Sequence, residues 1–205
     1  MPDRALLHQI ADVVVGAPRF VTAPLVRRRH MRWGATDAEV AASLPGDELV
    51  PKPSFSATRA ITIAAPPERV WPWLVQLGYG RGGWYSYDLL DNGGRRSADR
   101  ILPGFQGLAV DDWVPMAATV NERTAFRVRV LEPPRTMLWE KPGSTWVWTL
   151  APVPEGTRLV VRLRDRYDWS HPAVALLSLA LFELGDYPMM RKELLSIRAR
   201  AERAA

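Results

Sequence analysis

The chain has 205 residues, 47% of them hydrophobic, no cysteine and a formal net charge of +5. That suits one domain with an N-terminal extension and leaves too much apolar material for global disorder. The missing cysteines exclude disulfides and thiolate metal sites, and they fit a reducing, cytoplasmic setting.

The three histidines, His8, His30 and His171, are far apart and lack ligand spacing, so no metal site is expected and no cofactor is implied. All but three of the basic residues are arginine; the lysines are Lys52, Lys141 and Lys192. Such a ratio ordinarily reflects genome base composition, although a basic surface also suits an acidic partner, a membrane or nucleic acid.

In chain order, residues 4–15 place Leu6, Leu7, Ile10, Val13 and Val14 on one helical face. Asp12 interrupts this patch and no small-residue cleavage site follows, so it does not read as a signal peptide. A short basic run, Arg27 to Arg32, comes next. Thr36 followed by Glu39 matches a capping box ahead of a short helix from about 37 to 43. Residues 1–45 are expected to form helices packed on the domain or on a partner chain. Three prolines and a glycine in 45–56 read as a linker. The division is thus a helical extension and linker over 1–56 and a main domain over 57–205.

The main domain opens with a strand at 57–64, where Arg59, Ile61 and Ile63 share one side. Pro66 and Pro67 suit a helix start, Val70, Leu74 and Leu77 form its buried stripe, Pro72 bends it and Gly78 stops it. Residues 79–111, rich in glycine and aromatics, form the expected functional loop region. A short strand at 112–116 and four alternating strands follow, punctuated by Pro133-Pro134, Pro142-Gly143 and Glu155-Gly156 at hairpin spacing.

This pattern is an antiparallel meander with one apolar and one arginine-bearing face. Arg127, Arg129, Arg158, Arg162 and Arg164 are expected to face solvent, with the aromatics on the opposite side, so nucleic-acid binding is not expected. Residues 172–203 supply the cover for the apolar face. Their apolar start, Pro172 to Phe182, is too short to span a bilayer and reads as a buried core helix.

The order strand, helix, loop, strands, long helix is that of the START-related helix-grip fold. The wording is closer still: Ala65-Pro-Pro-Glu-Arg-Val-Trp-Pro-Trp-Leu-Val-Gln-Leu-Gly78, Gly82-Gly-Trp-Tyr-Ser-Tyr-Asp88 and Asp99-Arg-Ile-Leu-Pro-Gly-Phe-Gln106 resemble bacterial SRPBCC proteins, the polyketide cyclase/dehydrase and lipid-transport superfamily. The resemblance implies an α+β fold, a curved antiparallel sheet around a long C-terminal helix, enclosing an apolar cavity. It implies no particular reaction, because members include carriers, cyclases and dehydrating enzymes.

Within that frame a cavity is expected between sheet and helix, lined by Phe126, Trp139, Trp146 and Trp148, with Trp113 nearby. The loop 79–92 is expected to form its mouth, with Trp84, Tyr85 and Tyr87 touching ligand and Arg81 or Asp88 orienting it. The string Gly78-Tyr-Gly-Arg-Gly-Gly83 contains G-x-G-x-x-G. It follows a helix, however, where a dinucleotide fingerprint needs a strand, so it reads as a tight turn. Asp88 and Asp91 are the candidates for acid–base chemistry, although an Asp in such a loop more often caps a turn. Three functions follow: carriage of a small hydrophobic or aromatic molecule, a cyclase or dehydratase reaction in the same cavity, or a peripheral membrane or interaction module using residues 4–32. The oligomeric state is open.

Overall fold

The computed structural model describes residues 4–203; the outermost ends of the two expected spans, residues 1–3 and 204–205, lie outside the described residues. Six strands, β1 (Phe55–Ile63), β2 (Trp113–Pro115), β3 (Ala125–Glu132), β4 (Thr136–Lys141), β5 (Ser144–Val153) and β6 (Gly156–Asp165), form one antiparallel sheet in the order β1-β6-β5-β4-β3-β2. Strands β3 to β6 are hairpin neighbours, and β6 pairs with β1 across the length of the chain. A bulge at Val128–Val130 shifts the β3–β4 register, which is how a strand bends within a curving sheet.

Helix α4 (Pro67–Val75) follows β1, and the long C-terminal helix α7 (Tyr187–Arg203) lies on α4 and β1. Both bury one stripe into a common core with the sheet's inner face: Val70 and Leu74 from the first, with Leu77 just past its end, and Met190, Leu194 and Ile197 from the second. The expected strands, the α4 start at the double proline and the closing helix are all present.

The sheet's outer face departs from expectation. Cross-strand pairing puts the arginines of β3 and β6 on that side, as alternation required. Arg127 and Arg129 do reach solvent, but the Arg162 side chain is only 4% exposed. Residues 31–50 lie over the sheet there. Met31 and Trp33 accept the Thr58 and Ala60 amides through their carbonyls, extending β1's edge.

Arg162 donates to Thr58 Oγ1, to the carbonyls of Glu39, Val40 and Ala42, and to Asp47 Oδ2 at 2.6 Å. Every N–H of that guanidinium that points into protein finds an acceptor, which offsets the cost of burying the charge. Arg158 similarly holds Glu39, whose pKa is lowered to about 2, chiefly by that hydrogen bond. Helix α3 (Asp37–Ala41), which carries Glu39, starts with the capping box anticipated at Thr36: its hydroxyl accepts from the Glu39 amide and the Glu39 carboxylate accepts from the Thr36 amide.

Two further elements differ from expectation. Helix α6 (Pro172–Ala180) was expected in the core, yet only its Ala175 is fully buried. Helix α1 (Arg4–Thr22) does pack on the domain, but it leaves Leu6, Leu7, Ile10 and Val14 of its apolar stripe exposed and only Val13 half-buried. Periodicity finds a stripe; it does not say what the stripe faces.

Candidate functional site

On the inner face, the cross-strand pair Trp139–Trp146 sits beside Trp148 and Phe126. Ring centroids within this group lie 5.1 to 6.4 Å apart. Trp84 is delivered from the loop after α4. That loop is pinched shut by paired backbone hydrogen bonds between Gly78 and Gly83, at φ +126° and +81°, a geometry that excludes side chains. Trp84 stacks on Trp146 and meets Trp139 edge-on.

Five of the residues singled out from sequence therefore do converge. Their rings pack directly on one another, and Phe126, Trp139 and Trp148 are fully buried. The group has one feature that plain packing does not require. The indole N–H groups of Trp139, Trp146 and Trp148 are all buried without an acceptor, where a buried indole donor normally finds one.

The other candidates go elsewhere. Trp113 lies on the outer side under the Arg127 guanidinium, in a cleft of about 470 Å³. Arg81 donates to the Val75 and Leu77 carbonyls and so caps the end of α4, with its cationic carbon over Phe105. The Tyr85 hydroxyl is locked between the Gln76 amide and the Trp73 carbonyl, and burial raises its pKa.

Tyr87 lies under α1, against Gly16 and Phe20, with Lys192 Nζ 4.1 Å from its ring centre. Asp88 serves as a turn cap, accepting from the Ser97 amide and hydroxyl. Asp91 is different. Burial, with Asp88 adding, pushes its pKa up to about 7. It interacts with Glu193 of α7, which is buried and whose pKa desolvation pushes well above the usual carboxylate range.

Three residues with structural weight were not singled out as site residues. Gln76, fully buried, ties Tyr85, Arg100, Leu102 and Gln106 together, and it stands as a lone amide beside the apolar stripe of α4. Arg59 faces inward and pairs with buried Asp186 at 2.5 Å; its position in phase with Ile61 and Ile63 was the available signal. Lys141 Nζ lies 4.9 Å from the Phe126 ring centre, at the edge of the indole group, with its pKa lowered by burial and partly restored by Asp165.

An antiparallel sheet wrapped on a long C-terminal helix defines the architecture. It is helix-grip. No family model and no curated protein matches the sequence. Among solved structures, the chain is similar to the di-domain ARO/CYC protein StfQ of the steffimycin biosynthetic pathway (TM-score 0.48, 15% identity, covering 78% of this chain and 55% of that one). It is also similar to a polyketide-cyclase-like protein of Corynebacterium glutamicum (0.44, 18%, 70% and 88%) and to a protein of Mycobacterium smegmatis (0.45, 13%, 74% and 94%). At such identities the helix-grip likeness concerns fold alone.

Proposed function

We propose that the protein binds a small, flat, largely apolar molecule carrying carbonyl-type acceptors, on the inner face formed by Phe126, Trp139, Trp146 and Trp148. The observation that carries this reading is the set of three buried indole N–H groups without acceptors. Leaving one such donor unpaired costs about 1–3 kcal/mol. Three on one aromatic face are a standing cost that a guest with oxygen acceptors would relieve while stacking on the rings. The guest enters between Trp84 and Trp146, whose parallel planes already present two faces. The glycine-pinched loop carrying Trp84 is the element that moves.

The test is titration with flat aromatic ketones, such as flavones, followed by tryptophan fluorescence. The expected result is saturable quenching at one site per chain, weakened about tenfold or more in Trp146→Phe. Linear quenching identical in both proteins would sink the proposal.

A cyclase or dehydratase reaction in the same place has one observation in its favour: Lys141, desolvated at the edge of the ring group and facing Asp165. A lysine of lowered pKa is a usable base. On that reading Lys141→Met keeps guest binding and abolishes turnover.

A further inference from the structure

Surface helices normally turn their apolar stripe toward the core. Helix α1 turns most of its stripe the other way, although Val13 is half-buried and Phe20 packs edge-on against Tyr87. Toward the protein it places Gln9, donating to the Gly94 carbonyl, Asp12, paired with Lys192 at 3.0 Å, and Gly16, pressed on Tyr87 so closely that a Cβ would meet its hydroxyl at 2.5 Å. Those contacts fix the rotation of the helix. Outward it presents Leu6, Leu7, Ile10, Val14, Val15 and Val21, from 42% to 73% exposed.

Helix α6 does the same with Val174, Leu176 and Leu177, and Leu181 follows in the next turn. The two surfaces meet: the 3-10 turn Ala23–Val26, with Leu25 83% exposed, lies against the π-helical turns Leu181–Asp186. Trp169, also exposed, stands at the entrance to α6. This exceeds the scattered apolar exposure of an ordinary surface.

Charge identifies the occupant. Residues 4–32 contain six arginines against one aspartate, so this segment alone carries a net charge equal to the whole chain's +5. Arg19, Arg28 and Arg29 are exposed there. Outward apolar side chains, an arginine-rich flank and a boundary tryptophan are the requirements for lying in the headgroup region of an anionic bilayer. A second copy of the chain fits less well, because a two-fold contact through this face would set one arginine run against the other.

Pro172–Arg203 is long and apolar enough to cross a membrane. Its second half is built into the core through Met190, Leu194 and Ile197, so the surface is one that lies on a bilayer. We propose that the outward faces of α1 and α6 dock this protein on the surface of an anionic phospholipid membrane. The proposal stands independently of what the interior binds.

The experiment is co-sedimentation of the full chain with vesicles of phosphatidylcholine alone and with about 30% phosphatidylglycerol. Binding is expected to be about tenfold stronger on the anionic vesicles and largely lost at about 0.5 M salt. Two variants read the two halves of the surface. Leu177→Glu with Leu181→Glu removes binding through the apolar side; Arg28→Glu with Arg29→Glu removes it through the charge. Both change exposed side chains, and an unaltered melting transition verifies the fold; if the leucine pair fails that check, the arginine pair decides. Absence of binding to anionic vesicles overturns the proposal. So does a doubled mass in light scattering that Leu177→Glu abolishes while vesicle binding stays absent, which would make a second copy the occupant.

Discussion

The indole of Trp84 lies flat over that of Trp146, with ring centroids 5.5 Å apart and planes 6° from parallel. With the edge-on contact of Trp84 to Trp139, it brings the glycine-rich loop onto the aromatic face of the sheet. Trp84→Ala is expected to lower stability by about 3–5 kcal/mol, the cost of emptying a large buried aromatic site. In the surviving folded protein it weakens a flat ketone about tenfold by removing one of two stacking faces. Urea denaturation and fluorescence titration on the same variant separate the two effects. A stability loss with unchanged affinity would reduce Trp84 to a wedge.

Arg162 joins the outer face of the sheet to residues 39–47 through four hydrogen bonds, one of them to Asp47, and donates a fifth to Thr58 Oγ1 on β1. Arg162→Met takes the guanidinium donor from three carbonyls and leaves Asp47 with only the Leu44 amide and Arg164. It is expected to destabilise the fold by about 3–5 kcal/mol in urea melts, the range for breaking a buried pair on one side. Arg129→Met, at an exposed position on the same face, serves as the control and changes stability by about 0.5 kcal/mol or less.

Asp91 has a folded pKa raised to about 7, well above its ordinary value, and Glu193 is raised as well. The folded state therefore holds these protons more tightly than the unfolded chain. The associated stability is fully present below the unfolded carboxylate pKa and is lost as pH rises through about 7. Glu39 works in the opposite sense: its lowered pKa contributes stability that disappears as pH falls toward about 2. Asp91→Asn is expected to flatten the decline between about pH 4 and 7 and to make the protein more stable than wild type at pH 8. Chemical denaturation across that range measures it; an unchanged slope would contradict the assignment.

Thr36→Ala removes the hydroxyl half of the capping box and is expected to cost about 1 kcal/mol. That element was readable from four consecutive residues because everything it needs is local. The alternation of β3 to β6, the helix opening at Pro67 and the closing helix were legible for the same reason. The convergence of Trp84 with the sheet tryptophans was half legible: alternation put three indoles on one face, and the loop's aromatic content called for burial.

What escaped the sequence was coverage. Arg162 sits in phase with a solvent face, and nothing within β6 reveals that residues 31–50 return across it. Leu177 and Leu181 are as apolar as core residues, and only the fold reveals that α7 fills the core while α6 projects beyond it. Alternation gives the direction of Trp139 and Trp148 without the space left between them.

The account rests most directly on the unpaired indole donors of Trp139, Trp146 and Trp148. Proton–nitrogen correlation spectra resolve each indole N–H separately, with single Trp→Phe variants giving the assignments. On titration with a flavone, the account predicts downfield movement of these three resonances together, as each donor gains an oxygen acceptor, while exposed Trp169 stays in place. Stationary core resonances with movement confined to Trp169 or Trp113 would contradict it.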